Sequence, residues 1–161
     1  MSQLTLKVFL HQDGIAPQKG KEGDAGLDCF ACFEPNRPSR QWHVQQFEVA
    51  KISLGFSYAF WVNGEVSHDY FLDIRNRSGV GTRSGFVTVA EIGDANYRGT
   101  IHYCVVKVST GFYTVEHGDK IAQAIITPFV DPHKVNIKVV SSLEELGPSS
   151  RGSAGFGSSG I

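Results

Sequence analysis

Anion-binding chemistry is indicated first by residues 74–85, which read IRNRSGVGTRSG. This segment holds three arginines, two serines and three glycines in twelve residues. Glycine lets backbone N–H groups approach a phosphate, serine adds a hydroxyl donor, and arginine adds a planar charged fork. A long polar hairpin turn would have the same composition. The segment alone therefore leaves an anion site and a turn equally open.

Two other loops place an aspartate beside flexible backbone. In residues 23–31, GDAGLDCFA, two aspartates lie four positions apart, and carboxylates in such a setting suit Mg²⁺. In residues 91–100, EIGDANYRGT, Asp94 at a turn between strands can orient a water for attack. Tyr97 in the same loop can pack on a sugar or base ring. Each loop taken alone is explained more simply as a turn whose residues suit the backbone.

A fourth candidate is residues 118–126, GDKIAQAII, where Gln123 interrupts an apolar strand. A polar side chain in a buried strand must be hydrogen-bonded or must face a site. The six histidines show no metal-ligand spacing. The sequence also contains no Walker A loop, G-x-S-x-G elbow or H-E-x-x-H motif, so these chemistries are not indicated.

Composition limits the partners and the compartment. The 161 residues favour one domain with a core of its own, and the formal net charge is −1, with 15 basic and 16 acidic residues. This balance gives no general attraction to nucleic acid or membrane. The sequence has neither an apolar run of membrane-spanning length nor the shape of a secretory signal, so we expect a soluble cytoplasmic or other intracellular protein.

The three cysteines, Cys29, Cys32 and Cys104, are an odd number and do not suggest a disulfide framework. The C-x-x-C pair is compatible with a redox site, or with half a zinc site completed by His102 and Cys104. Since the pair lies in a strand-like run and no second pair exists, we expect buried thiols in a β-core.

The elements that must position these loops read as strands. Apolar residues alternate at period two or form short β-branched and aromatic runs, with turn residues at short intervals, which predicts an all-β sandwich or barrel. The predicted strand segments are residues 4–10, 43–62, 100–110, 111–118, 120–130 and 133–140. Residues 141–146, SSLEEL, are compatible with a short helical turn.

The last fifteen residues, 147–161, read GPSSRGSAGFGSSGI and differ from the rest of the chain. Such a Gly- and Ser-rich terminus is usually disordered. A lone Phe framed by glycines is unusual in a linker, and an Arg followed by glycines suits a segment that closes over phosphates.

These segments, in this order, resemble the five ordered motifs of the trimeric dUTPase family. DAGLDCFA is similar to A-G-x-D, RSGVG to P-R-S-G-L, and IGDANYRGTI to V-I-D-x-D-Y-R-G-E. GDKIAQAII is similar to G-D-R-I-A-Q-L-I, and RGSAGFGSSG to R-G-x-x-G-F-G-S-T-G. The resemblance spans residues 24–160, and five motifs in order are far more specific than any one of them.

The resemblance implies a distorted jelly-roll β-barrel that assembles as a homotrimer with active sites between subunits. Residues 1–146 would form the barrel domain, and residues 147–161 a flexible arm that closes over a neighbouring site. The implied reaction is hydrolysis of dUTP to dUMP and pyrophosphate, with Mg²⁺, by in-line attack of water on the α-phosphate. Positioning and charge neutralisation are the main needs of such chemistry.

The third motif implies the catalytic and nucleoside contacts. Asp94 should activate the water, and Tyr97 should stack under the deoxyribose and exclude a 2′-hydroxyl. Backbone groups around Ile92 and Gly93 should read the uracil edge.

The other motifs imply the phosphate, metal and lid contacts. The phosphates should be contacted by Arg77, Ser78, Gly79 and Gln123, and Mg²⁺ should be held through water by Asp28. From the arm, Arg151 should reach the γ-phosphate, and Phe156 with Gly157 should cover the uracil.

The chain departs from the family pattern at several positions. Asn76 replaces the usual proline of the second motif. In the third motif, Gly93 stands where isoleucine is usual, Asn96 replaces the second acid, and Thr100 replaces the glutamate. Residues 61–72 are longer than this region usually is, and we expect an extra surface hairpin there.

Two alternatives remain, a related enzyme of the same fold and a protein of another class. The dCTP deaminases share the fold and have a similar third motif, but they place a catalytic glutamate a few residues later. Here Cys104 is at about that place, and the stretch has no acid. The second alternative is a nucleotide-binding interaction protein without catalysis, against which Asp94, Gln123 and the complete fifth motif argue.

Overall fold

The computed structural model describes residues 3–150 and residue 152. The chain divides into two compact units, one ending at Val130 and the other beginning at Asp131. In the described part of the first unit, thirteen strands and one short helix, α1 (Ser78–Ser84), follow each other. The strands are β1 Leu4–Leu10, β2 Gln18–Lys19, β3 Gly26–Phe30, β4 Gln41–Val44, β5 Val49–Ser53, β6 Phe56–Val62, β7 Glu65–Ser67, β8 Tyr70–Asn76, β9 Phe86–Ala90, β10 Ile92–Gly93, β11 His102–Lys107, β12 Tyr113–Glu116 and β13 Lys120–Pro128.

Among the described residues, every strand pair is antiparallel, and the pairs form four sheets. The largest sheet has the order β10-β8-β13-β3-β2, and it joins elements from four of the candidate loops. The other sheets have the orders β1-β6-β7, β5-β11-β9 and β12-β4. Non-consecutive neighbours dominate these orders, so distant parts of the chain meet side by side. The prediction of an all-β architecture is confirmed.

The core of the first unit follows the predicted alternation of the strands. In β11, Tyr103, Val105 and Lys107 are buried, whereas His102 and Cys104 are only partly buried. The buried ammonium of Lys107 donates to the carbonyl oxygen of Ser109 at 2.7 Å and to two further oxygens. A buried cation is tolerated only when such acceptors surround it.

The predicted extra hairpin in residues 61–72 is present as β6 and β7. Trp61 is opposite Val66, and Val62 is opposite Glu65. The two turn residues, Asn63 and Gly64, have φ angles of 51° and 89°. Two consecutive positive φ values are typical of a type I′ turn, for which Asn-Gly is the preferred pair.

In the second unit the expected strand at residues 133–140 is wrong. The structure has a 3₁₀ turn at Pro132–Lys134 and no strand in the rest of that segment. Its alternating apolar side chains are exposed, with Ile137 at 83% and Val139 at 91%. A strand needs a neighbour for its backbone hydrogen bonds, and within the described residues this segment pairs with none. The short helical turn expected in residues 141–146 is present at Glu144–Leu146.

The three cysteines are free thiols, and Cys29 and Cys32 are buried. Burial raises the pKa of Cys29 to about 12, which keeps its thiol protonated. Among the described residues, no three His, Cys, Asp or Glu side chains are grouped to hold a metal. The expectation of buried core thiols is confirmed for Cys29 and Cys32. No described helix has the length and apolar character needed to cross a bilayer.

Candidate active site

Asp94 lies in the connection from β9 to β11, two strands that pair with each other, and β10 is part of that connection. β10 pairs with β8, and Gly93 is opposite Leu72. The chain turns directly after β10, where the backbone N–H of Tyr97 donates to the carbonyl oxygen of Asp94 at 3.1 Å. Asp94 is exposed, and within the described chain its carboxylate has no hydrogen bond or ion pair. This carboxylate is therefore available to a water or a ligand.

A cavity of about 230 Å³ opens beside this turn. It brings together four of the predicted site residues, namely Ile92, Gly93, Asp94 and Tyr97. The side chains of Ile92 and Tyr97 are exposed, at 70% and 46%, and Gly93 is buried. The other lining residues are Lys51, Ile74, Ala90, Glu91, Thr100, Ile101, His102 and Cys104. The predicted nucleoside residues thus share one concave surface.

Three of these lining residues were not assigned to this site from the sequence, namely Lys51, His102 and Cys104, and the last two were considered there only as zinc ligands. Lys51 is opposite Cys104 in the pairing of β5 with β11, and directly opposite residues project from the same face. The period-two alternation of β11 was the available signal, because it separates His102 and Cys104 from the buried Tyr103. Burial lowers the pKa of His102, and Lys51 lowers it further, so the neutral imidazole is favoured.

The carboxylate of Glu91, which also lines the cavity, is neutralised by Arg75. Arg75 Nη1 lies 3.0 Å from both carboxylate oxygens of Glu91. The Nε atom of the same guanidinium lies 2.7 Å from Asp73 Oδ1. An anionic ligand entering the cavity would therefore meet a compensated acid at this position.

Tyr97 lies over a glycine. A Cβ atom added to Gly99 would lie 2.2 Å from the phenolic oxygen of Tyr97 and 2.4 Å from Cζ. These distances are below van der Waals contact, so any side chain at position 99 must displace the Tyr97 ring. Gly99 thus permits the observed placement of Tyr97 at the cavity.

The predicted metal residue and a predicted phosphate residue form a second cluster. Asp28 on β3 is bound by two cations: Arg77 Nε lies 2.8 Å from Oδ1, and Lys120 Nζ lies 3.2 Å from Oδ2. Arg77 Nη1 also donates to the carbonyl oxygen of Lys120 at 3.3 Å. These contacts join the first, second and fourth motifs, which are far apart in the sequence.

Gln123 is opposite Asp28 across β13 and β3, and opposite Arg75 across β13 and β8. Its Nε2 donates to the carbonyl oxygen of Asn76 at 2.9 Å, which leaves one amide N–H for another acceptor. A Cβ atom at Gly26 would lie 2.9 Å from Gln123 Oε1, so glycine gives the amide its room. The polar residue in the apolar strand is therefore hydrogen-bonded and placed beside the second motif.

The second motif forms α1 rather than a hairpin loop. Arg77 is the N-cap residue, and its side chain makes no capping bond. Ser78 and Gly79 begin the helix, where N–H groups have no intrahelical acceptor. Asn76, at the usual proline position, donates through Nδ2 to the carbonyl oxygen of Phe86 at 2.8 Å and accepts from the Tyr103 hydroxyl. These bonds fix the entry to α1 in place of a proline ring.

The structure therefore holds two groups of site residues. The cavity near Asp94 is lined by the third motif and contains none of Asp28, Arg77 or Gln123. Those three residues belong to the cluster around β3, β13 and the start of α1. The remaining predicted residues, Arg151, Phe156 and Gly157, lie outside the described residues.

A family model for dUTPase matches residues 12–160 of the chain. A deoxyuridine 5′-triphosphate nucleotidohydrolase from Clostridium tetani is 35% identical, and the alignment covers 99% of both chains. A second one, from Yarrowia lipolytica, is 31% identical over 98% of this chain and 90% of its own length.

The fold is similar to that of solved phage dUTPases. A Staphylococcus bacteriophage 80alpha dUTPase variant with dUpNHpp has a TM-score of 0.75 and 23% identity, covering 98% of this chain and 99% of that one. A dUTPase variant from phage phi11 of S. aureus has a TM-score of 0.67 and 22% identity, covering 87% and 99%. The predicted jelly-roll barrel is confirmed. The chain belongs to the dUTPase family and is a dUTP diphosphatase.

Proposed function

We propose that the chain hydrolyses dUTP to dUMP and pyrophosphate by in-line attack of a water on the α-phosphate, with Asp94 activating the water. The observation that carries this proposal is the exposed Asp94 carboxylate, which has no hydrogen bond or ion pair in the described chain and lines the cavity. A general base must be within reach of its water, and a carboxylate already bound to a cation would be a weaker base.

The cavity supports the assignment of the nucleoside contacts. Backbone groups of Ile92 and Gly93 read the uracil edge, and Tyr97 stacks under the deoxyribose. Gly99 supports this role, since its lack of a side chain leaves room for the flat ring of Tyr97 at the cavity wall. A ring in that place leaves little room for a 2′-hydroxyl.

Arg77, Ser78, Gly79 and Gln123 bind the phosphates in this proposal. Two hydrogen bonds support this assignment, because they place both side chains at the start of α1. Arg77 donates to the carbonyl oxygen of Lys120, and Gln123 donates to that of Asn76. Arginine and backbone N–H groups suit phosphate oxygens, and Gln123 keeps one free N–H.

Mg²⁺ is held through water by Asp28 in this proposal. Each carboxylate oxygen of Asp28 contacts one cation and keeps a further lone pair. Asp28 can therefore accept a hydrogen bond from a water that coordinates the metal ion. When bound, the ion neutralises phosphate charge. Arg77 then provides a second positive charge on the same side of the substrate.

The assembly is a homotrimer with shared sites in this proposal. The cavity lacks the first, second and fourth motifs, which supports their arrival from a neighbouring copy. The exposed apolar side chains Ile137 and Val139 support burial of this segment against another chain. Residues 147–161 act as the arm, in which Arg151 reaches the γ-phosphate and Phe156 with Gly157 covers the uracil. An intracellular location suits the nucleotide substrate.

Pyrophosphate release across the four deoxynucleoside triphosphates and dUTP, with and without Mg²⁺, tests the proposal. We expect release from dUTP, and we expect Asp94→Asn to bind dUTP while turnover falls by about 10²-fold or more. Glu65→Gln, which removes an exposed charge from β7, is the matched control. Turnover like that of the wild type in Asp94→Asn would remove Asp94 from its role. Ammonia release from dCTP without pyrophosphate release from dUTP would overturn the substrate.

A further inference from the structure

We infer that Tyr58 is a positioning residue that fixes the hairpin backbone at Gly93 and Asp94, and through it sets base discrimination and the placement of the Asp94 carboxylate. The inference deepens the proposed function and rests on it. Tyr58 is on β6, in another sheet, and sequence reasoning did not single it out.

The hydroxyl of Tyr58 is bonded to both sides of the β8–β10 pair. It donates to the carbonyl oxygen of Gly93 at 2.5 Å, and the carbonyl oxygen of Asp94 lies at 3.1 Å. It accepts from the backbone N–H of Leu72 at 3.3 Å. Because a phenol has one proton, the shorter bond to Gly93 takes it, and Asp94 is the weaker second acceptor. The buried Tyr58 hydroxyl thus fixes the point at which the backbone leaves β10 and enters the turn that carries Asp94.

The ring of Tyr58 fills the space beneath Gly93. A Cβ atom at Gly93 would lie 3.3 Å from Ile101 Cδ1, 3.4 Å from the carbonyl oxygen of Leu72 and 3.5 Å from Tyr58 Cε1. A Cβ atom alone would press slightly on Ile101 and touch the Tyr58 ring, so little space remains for a longer side chain at position 93. The lack of a side chain at Gly93 therefore matches the large Tyr58 ring that packs beside it.

A second bond network ties the same turn to the backbone of Tyr58. Arg98 Nη1 donates to the carbonyl oxygens of Ala95 at 2.9 Å and Tyr97 at 3.0 Å, and to that of Tyr58 at 3.4 Å. The turn is thus held at its start by the Tyr58 hydroxyl and at its end by the Tyr58 carbonyl group. Tyr58 itself is 3% exposed and its ring is edge-on to Phe60 at 5.3 Å, so it has little freedom to move.

The 161-residue protein carrying Tyr58→Phe tests the inference, because it keeps the ring and removes only the hydroxyl. We expect kcat/KM for dUTP to fall by about tenfold or more, and the ratio of dCTP to dUTP turnover to rise. Hydrogen exchange of backbone amides in residues 92–98 should become faster. Tyr113→Phe, which removes a hydroxyl without a bond partner in the described chain, should change none of these quantities.

Val115→Ala is the control for stability, because it opens a buried cavity in the β12-β4 sheet. If its effects on exchange in residues 92–98 and on base discrimination equal those of Tyr58→Phe, the inference is overturned. An unchanged dCTP-to-dUTP ratio and unchanged exchange in Tyr58→Phe would overturn it as well. Should Tyr58→Phe not fold, Arg98→Lys tests the other attachment of the turn to Tyr58, since it keeps the charge and removes the guanidinium donor to the Tyr58 carbonyl oxygen, and unchanged exchange in residues 92–98 would count against a turn held by Tyr58.

The exchange measurement also separates this inference from the proposed function. If the wild-type protein released no pyrophosphate from dUTP, the proposed function would fail, whatever Tyr58 does. Faster exchange confined to residues 92–98 in Tyr58→Phe would still show that Tyr58 fixes the turn. Normal dUTP turnover in the wild type with unchanged exchange in the variant would defeat the inference alone.

Discussion

Arg77 Nε lies 2.8 Å from Asp28 Oδ1, so the arginine of the second motif is bound to the carboxylate of the first. Lys120 of the fourth motif shares the same carboxylate. Three segments that are far apart in the sequence therefore meet at one acid. A bound triphosphate would compete with Asp28 for the Arg77 guanidinium, and its metal ion would compete with Arg77 for the Asp28 carboxylate. Arg77 and Asp28 can therefore exchange their contact with each other for contacts with the substrate.

The first prediction concerns this acid. Asp28→Asn should raise the Mg²⁺ concentration needed for half-maximal pyrophosphate release, because the outer ligand loses its charge. The stability cost should be below about 1 kcal/mol, since Arg77 and Lys120 are well exposed and their attraction is screened. Glu65→Gln removes an exposed carboxylate charge that lies in none of the motifs and is the control. An identical Mg²⁺ dependence in both variants would exclude Asp28 from the metal site.

The second prediction concerns the sugar. Gly99→Ala should push the Tyr97 phenol out of its place and narrow the preference for dUTP over UTP, measured as a ratio of kcat/KM values. The free energy of unfolding should change by less than about 0.5 kcal/mol, because Tyr97 is half exposed and can swing away. In a Tyr97→Ala background, Gly99→Ala should add nothing to the loss of discrimination. Additive losses would mean that Gly99 acts independently of Tyr97.

The third prediction concerns the arm. A chain ending at residue 146 should keep its far-UV circular dichroism and a mass near three chains in light scattering, while pyrophosphate release falls sharply. Replacing residues 147–161 with a Gly-Ser linker of equal length should give the same loss, because the proposed contacts come from Arg151 and Phe156. Full activity with that linker would show that the arm makes no contact of consequence.

The fourth prediction concerns pH and two histidines. Burial lowers the pKa of both His102 and His117, and neighbouring Lys51 and Arg40 lower them further. The unfolded chain then binds more protons below the ordinary histidine pKa of about 6.5, so stability falls as pH drops from about 7 toward 5. The free energy of unfolding, measured with urea at fixed protein concentration, should change less steeply with pH in His102→Asn and in His117→Asn than in the wild type. His133→Asn, exposed in the second unit, is the control. A slope as steep as that of the wild type in both variants would contradict the assignment.

Strands and the β6–β7 hairpin could be predicted because their signals are local. Period-two alternation indicates β11, and the Asn63-Gly64 pair is typical of the type I′ turn that is observed. The α1 helix could not be predicted, since Gly, Ser and Thr are weak helix formers. It is held instead by the bonds of Asn76 to Phe86 and Tyr103, and it ends at Gly85 with a φ of 68°.

The site was predicted only in part, for a related reason. Motif order singled out Asp94 and Gln123 as candidates, but the place of Lys51 and His102 in the cavity lining depends on the register of β5 against β11. Register between distant strands is a tertiary property, and no local pattern contains it. The strand expected at residues 133–140 failed because alternation indicates a face to be covered, and a strand forms only when a neighbour supplies hydrogen bonds.

Of the three thiols, Cys104 is the one that lines the cavity, and it is more accessible than Cys29 and Cys32. Burial raises the pKa of Cys104 above that of an ordinary thiol, and nearby Lys51 offsets only part of this, so labelling there should be slow at neutral pH and faster in alkaline solution. The enzyme therefore carries a natural labelling position at its nucleoside cavity. Bound nucleotide should block the reaction of the Cys104 thiol with a maleimide fluorophore. The rate of labelling would then measure the fraction of cavities that hold nucleotide, without any turnover.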